Sequence, residues 1–304
     1  MVSDVILAGD LNIYRTDTVD GRLISYIINH IVNKDISKVA QGKSVVHIKA
    51  DELSKIHIRY PNKSEQDKIV TFLGVLSDRI SKQRELVEKL KTYKRGVLEG
   101  IFACKYVNSE NNSKWKKYVL SDITIRVTRK NNGTTNVPLT ISSQYGLVDQ
   151  RQFFSKVVAS NDLSNYYLLN RGEFAYNRST SSENPVGAVK RLEKYDNGAV
   201  STLYLCFAVN ESQINAEMLK YYFESSQWHQ HIKSICSEGA RNHGLLNVQT
   251  KEFFDLELYL PESLEAQRRI VTVLKGLQEI VDNENRHLEA LYTLKNGLLA
   301  QMFI

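Results

Sequence analysis

Cysteine is scarce in this chain of 304 residues and proline nearly absent, with three of the first and four of the second. Cys104, Cys206 and Cys236 are widely spaced and odd in number, and no Cys-x-x-Cys pair occurs. The sequence therefore indicates neither a disulfide framework nor a cysteine zinc site, and a reducing compartment fits. Long apolar runs are missing as well. Residues 203–209 form one of the longest, far short of the ~18 residues that span a membrane. The opening residues carry Asp4 and no basic flank, unlike a secretory leader. The expected location is the cytoplasm, with no membrane partner. Low-complexity segments are absent, and 42% hydrophobic with 24% charged residues is an ordinary soluble globular composition.

The signatures of common catalytic centres are lacking too. Gln41-Gly42-Lys43-Ser44 has the end of a phosphate-binding loop, but Ser37 stands where that loop needs its first glycine. Asn184-Pro185-Val186-Gly187 departs from the Asn-Pro-Pro-aromatic pattern of amino-methyltransferases. No Asp or Glu is followed two places later by Lys, a spacing common in nucleases. His229 and His231, two apart, suit a polar helix surface better than a zinc pair. No catalytic or metal-ligating residue is assigned, no cofactor is expected on this chain, and an enzyme is not the expected class.

What is present begins with charge. Lys and Arg number 40 against 34 Asp and Glu, a net +6. Residues 105–200 hold 14 basic and 8 acidic residues, so that third of the chain carries the whole surplus. One basic face would suit a phosphate backbone; the plainer reading is an ordinary basic surface.

The strongest signal is a duplication. Residues 66–102 and 267–303 align without a gap at a constant offset of 201, matching Ile69 with Ile270, Thr71 with Thr272, Leu76 with Leu277, Lys94 with Lys295 and Gly96 with Gly297. Each copy carries apolar residues alternating four and three apart, the seam of a coiled coil. The first seam runs through Ile69, Leu73, Leu76, Ile80, Gln83, Val87, Leu90, Lys94, Val97 and Ile101. The second runs through Ile270, Leu274, Leu277, Val281, Glu284, Leu288, Leu291, Lys295, Leu298 and Met302. The polar interruptions coincide, and no proline breaks either copy. Two long helices packing against each other, antiparallel, are predicted. The repeat extends upstream: residues 56–61 match 256–261 as strands ending at proline, residues 2–7 resemble 200–205, and Leu23-Ile-Ser-Tyr26 resembles Leu219-Lys-Tyr-Tyr222. Between the copies, residues 105–114 read as a linker, a short helix and a strand are expected within 115–127, strands within 137–142, 148–157, 173–177, 186–192 and 200–209, and one helix over 216–235. The fold class predicted is α+β, a mixed α/β domain joined to long paired helices.

These residues carry a family resemblance. A proline, then Gln66 or Gln267, an apolar heptad and a Lys-x-Gly ending at Phe102 or Phe303 resemble the conserved helical region of type I restriction-modification specificity subunits. So do residues 172–178 (GEFAYNR), 185–189 (PVGAV) and 200–204 (VSTLY), with Trp228 and Gly239-Ala-Arg241, which are similar to a target-recognition domain. The resemblance covers essentially the whole chain. It implies a non-catalytic subunit with two recognition domains, each followed by a long helix, the helices acting as a ruler between two half-sites of a bipartite DNA site. It also implies double-stranded DNA, methyltransferase subunits and an endonuclease subunit as partners, with S-adenosylmethionine, ATP and Mg held by those partners. The chain departs from the pattern in its first domain: residues 1–61 match only the end of one, followed by the first helix over 62–104, a complete domain over 105–261 and the second helix over 262–304. A second copy of the chain is therefore a further candidate partner, and the apolar Val5, Ile6, Leu7, Ile24, Ile27 and Ile28 are expected to be partly exposed. The other class consistent with the sequence is a coiled-coil DNA-binding regulator or scaffold.

Base edges are read by Arg, Lys, Asn and Gln, and phosphates are held by Arg, Lys, Ser and Thr. The loop Asn177, Arg178, Ser179 and Thr180 offers all these chemistries after a strand, and is the first candidate DNA contact. Arg126, Arg129 and Lys130 before an Asn-Asn-Gly turn are the second, and Arg241 the third.

Overall fold

The computed structural model describes residues 15–39, 48, 50–103, 114–143, 145–153, 162–236 and 244–303. Residues 2–7, the segment 41–44, most of the linker and Arg241 fall outside them. The chain divides into two compact units, residues 1–90 with 280–304 and residues 91–279, so each long helix contributes to both.

The first unit opens with α1 (Gly21–His30), capped by the Asp20 carboxylate accepting from the Arg22 N–H. Next come α2 (Asn33–Val39), α3 (Ala50–Leu53) and the start of α4 (Lys63–Ala103). Leu23 and Ile27, one turn apart on α1, pack with Val70 and Leu73 of α4 and with Leu299 and Phe303, near the end of the last helix, α10 (Leu264–Met302). The rings of Tyr26 and His30 stack on Phe303. The start of α4 thus meets the end of α10, the antiparallel pairing predicted. Inside the seam, Gln83 donates to the Glu284 carbonyl at 3.1 Å and its carboxylate at 2.6 Å, and Lys295 donates to Ser77 at 3.0 Å. The two shared polar interruptions are therefore satisfied between helices. Ile27 is buried rather than partly exposed, and Ile24 and Ile28 are half-buried, because α1 folds onto the helix pair.

Of the predicted seam, Leu73, Ile80, Leu274 and Val281 are buried, and Ile69, Leu76, Leu90, Ile270, Leu277 and Leu291 are half-buried. Toward the helix ends burial moves one residue on, to Val70, Phe102, Val271 and Phe303, and Met302 is exposed. A straight α-helix drifts about 20° per heptad, and the helix ends here pack on further elements as well, α1 at one end and the core of the second unit at the other.

The second unit is a layered α+β domain. Strands β1 (Trp115–Val119) and β10 (Glu257–Pro261) pair antiparallel. After α5 (Leu120–Ile123), β2 (Thr124–Val127) enters a four-stranded antiparallel sheet ordered β2-β9-β6-β7, with β6 (Phe174–Asn177), β7 (Ala188–Arg191) and β9 (Leu205–Val209). The hairpin β3 (Leu139–Ser142) with β4 (Gly146–Asp149), followed by α6 (Gln150–Phe153), and the pair β5 (Tyr167–Asn170) with β8 (Asn197–Val200) form a second layer. Strand alternation sorts the side chains. Phe174, Tyr176, Leu205 and Phe207 face α7 (Ala216–Glu224), α8 (His229–Ile235) and α9 (Thr250–Phe254), in a core with Trp228 and Phe253. Ala175 and Cys206 point the other way, to Leu139, Leu169 and Val200. Leu98 and Phe102 of α4 and Val271 and Leu274 of α10 belong to the first of these cores.

Four expected elements differ. The strand expected over 148–157 ends at Asp149, and Gln150–Phe153 continues as the helix α6. The helix over 216–235 breaks in two, because the Ser225 hydroxyl and N–H turn back onto the Tyr222 carbonyl and Glu99 takes the Ser226 N–H and hydroxyl at 2.7 and 2.8 Å. The strand over 200–209 is interrupted by a turn in which the Tyr204 N–H donates to Ser201. Residues 56–61 are not a strand: β10 is held by β1, and among the described residues the first unit has no counterpart of β1.

Candidate nucleic-acid interface

Strand register decides which loops meet. Val127 of β2 and Ala175 of β6 both pair with Cys206 of β9. Because β9 runs opposite to both, the ends of β2 and β6 and the starts of β9 and β7 share one edge of the sheet. From that edge emerge the loop 177–184, the turn 201–204 and the approach to β7. Gly187 makes the approach possible. At φ +77° a Cβ there would lie 2.3 Å from the Asn177 carbonyl oxygen, so only glycine lets β7 begin this close to β6.

The loop is pinned rather than loose. The Ser179 N–H donates to the Asn177 side chain at 3.0 Å. Thr180 donates through its N–H and its hydroxyl to the Gly244 carbonyl, at 2.7 and 2.9 Å. The Leu246 N–H donates to the Arg178 carbonyl at 3.0 Å, and Asn184 donates to Ser143 in the β3–β4 turn at 2.5 Å. Below the edge, the buried Tyr176 hydroxyl donates to the Val186 carbonyl at 2.8 Å and its ring stacks on Phe253; burial pushes its phenol pKa far up. The result is a hydrogen-bonded shelf from which Ser179, Ser181 and Ser182 are exposed, with Leu203 of the neighbouring turn exposed beside it. Such a shelf can offer hydrogen bonds to base edges and phosphates, and apolar contact to a methyl group. No cluster among the described residues could hold a metal ion, and no helix among them is long and apolar enough to cross a membrane.

No protein-family profile and no curated protein matches the chain. Solved structures do. The type I restriction-modification S subunit from M. genitalium superposes with a TM-score of 0.54 at 13% identity, over 94% of this chain and 73% of its own. A chain from a study of complex assembly and conformational transition in the type I system superposes with a TM-score of 0.54 at 15% identity, over 92% of this chain and 68% of its own. This chain has the fold of the type I S subunits.

Within that S-subunit fold the candidate residues separate. Asn177, Ser179 and Thr180 lie on the shelf. Arg126, on β2, is exposed and lies level with Phe207 and with Phe174 at the start of β6 rather than with Asn177 at its end; among the described residues no carboxylate pairs with it. Arg178 is a brace: its guanidinium donates to the Val248 and Leu203 carbonyls, each at 3.0 Å, and its Nε is buried without a partner among the described residues. This differs from the reading of Arg178 as a free base contact, since its fork is committed to the fold. Arg129 and Lys130 turn away from the shelf. Arg129 pairs with Glu173, and Lys130 donates to the Asn165 carbonyl at 2.8 Å over the Tyr167 ring. Arg241 lies outside the described residues. Sequence reasoning missed Ser143 and Asn184, which join the hairpin turn to the shelf; residues 41 apart with no shared motif give no signal of that contact.

Proposed function

We propose that this chain is the DNA-specificity subunit of a type I restriction-modification complex. It binds double-stranded DNA through the shelf of the second unit, docks methyltransferase and endonuclease subunits, and catalyses no reaction itself. S-adenosylmethionine, ATP and Mg belong to the partner subunits, and the complex works in the cytoplasm. The observation that carries the reading is the pinned polar shelf at one sheet edge, on a fold shared with S subunits. A coiled-coil regulator that dimerises through its long helices is the weaker reading, because the seam it would offer a partner is filled within the chain.

The test is methylome sequencing of cells expressing the chain with a cognate methyltransferase. A methylated motif that appears only when both are present is expected. Methyl transfer by the purified chain with S-adenosylmethionine alone, or no new motif in the cells, sinks the reading.

A further inference from the structure

The duplication makes one half of the chain a template for the other. Gln267 at the start of α10 is fully buried, accepts from the Asn215 N–H at 2.7 Å and donates to the Pro261 carbonyl at 2.8 Å. Gln66 at the start of α4 is buried, accepts from the Asp20 N–H at 3.1 Å and donates to the Pro61 carbonyl at 3.0 Å. Asn215 caps α7 as Asp20 caps α1. The same joint is built twice, so residues 56–61 stand where β10 stands.

What covers them differs. β10 pairs along its length with β1, placing Tyr118 opposite Leu258, Lys117 opposite Tyr259 and Lys116 opposite Leu260. Among the described residues, the backbone hydrogen bonds of the segment 56–61 lie at its ends: the Ile56 N–H donates to the Leu53 carbonyl and Gln66 donates to the Pro61 carbonyl. Among the described residues, the backbone groups of 57–60 have no partner. Ile58 packs on the core beneath, but Tyr60 is 49% exposed where its counterpart Leu260 is 0% exposed. An anchored segment with strand-like alternation, whose backbone groups find no partner among the described residues, is a template for another strand.

Charge says which strand. β1 is basic, and Lys117 pairs with Glu257 of β10 at 2.8 Å. At the positions of Glu257 and Tyr259 the first unit carries His57 and Arg59, both exposed, and Lys55 precedes them. A strand with β1's own sequence would set Lys117 opposite Arg59, like charges across the pair, which destabilises it. We infer that residues 56–60 are a docking edge for an extended segment of another protein, apolar opposite Ile58 and acidic opposite His57 and Arg59. The charge pattern disfavours the β1 of a second copy. This stands on the duplication and the geometry, independent of the function proposed above.

The test uses the full-length chain and two synthetic peptides: residues 114–120 in native sequence, and the same peptide with Lys117→Glu and Val119→Glu, the positions opposite Arg59 and His57. The acidic peptide should protect the amides of 57–60 from hydrogen exchange and bind roughly tenfold tighter than the native one, as expected when cross-strand charge pairs turn from repulsive to attractive. Arg59→Glu, on the exposed face, should invert the preference. Protection of 57–60 without any peptide, showing that the chain covers this edge itself, overturns the inference. So does the absence of protection with either peptide, or a preference that Arg59→Glu leaves unchanged.

Discussion

At the scale of single residues, buried side chains that bridge two backbone groups do more than apolar neighbours of similar size. Gln267 ties the cap of α7 to the end of β10, and truncation leaves a buried donor and a buried acceptor unmatched. Gln267→Ala should cost about 1–3 kcal/mol for each unmet group, read as a lower urea midpoint with an unchanged slope. Arg178 acts in the same way through two carbonyls. Arg178→Ala and Arg178→Lys should both destabilise the domain, because a single ammonium cannot replace the fork; a phosphate-binding role alone would let lysine retain wild-type stability. Lys190 is the opposite case. It is half-buried, and burial holds its amine below the usual lysine range, with Glu224, Lys94, Lys220 and Glu193 adding opposed effects. The unfolded chain therefore binds the proton more readily between the depressed folded pKa and the ordinary value, and stability rises with pH through that window. Lys190→Met should raise the melting temperature at neutral pH, by about 2–4 °C for each kcal/mol gained, and flatten the rise.

At the scale of elements, the seam has a graded interior. Leu73 and Leu274 occupy equivalent positions in the repeat and both are fully buried, whereas Leu76 and Leu277 are half-buried. Leu73→Ala or Leu274→Ala should cost about 2–5 kcal/mol, and Leu277→Ala clearly less, in denaturant titrations. Hydrogen exchange should show the Leu73 change loosening α1 and the Leu274 change loosening the α7–α9 core, because each leucine is packed in a different unit. Equal loosening everywhere would contradict the two-unit division. The fate of residues 56–61 shows that a strand is not a property of one segment: its alternation is that of β10, and only pairing distinguishes the two.

At the scale of the whole molecule, part of the basic charge of residues 105–200 is locally paired: Arg129, Arg151, Arg171 and Arg191 each meet a carboxylate. Long-range attraction to DNA should accordingly be modest, with discrimination resting on the shelf. If the proposed function holds, Arg126→Ala should weaken binding to all sequences alike and lower the salt slope by about one, measured by fluorescence anisotropy over a salt series. An effect confined to one sequence would make Arg126 a base reader instead.

Much of this was legible in the sequence. The gap-free repeat and its shared polar interruptions determined two long helices, their antiparallel pairing and the α+β class, because periodicity is a local property that survives without knowledge of neighbours. The residues of the shelf were nameable as chemistry in the same way. Their roles were not. Whether Arg178 faces DNA or two carbonyls, whether Arg129 is free or paired, and whether residues 56–61 become a strand depend on groups tens of residues away in the chain. Only strand register and packing bring those groups within the few ångströms over which hydrogen bonds act, and so only the tertiary structure decided them.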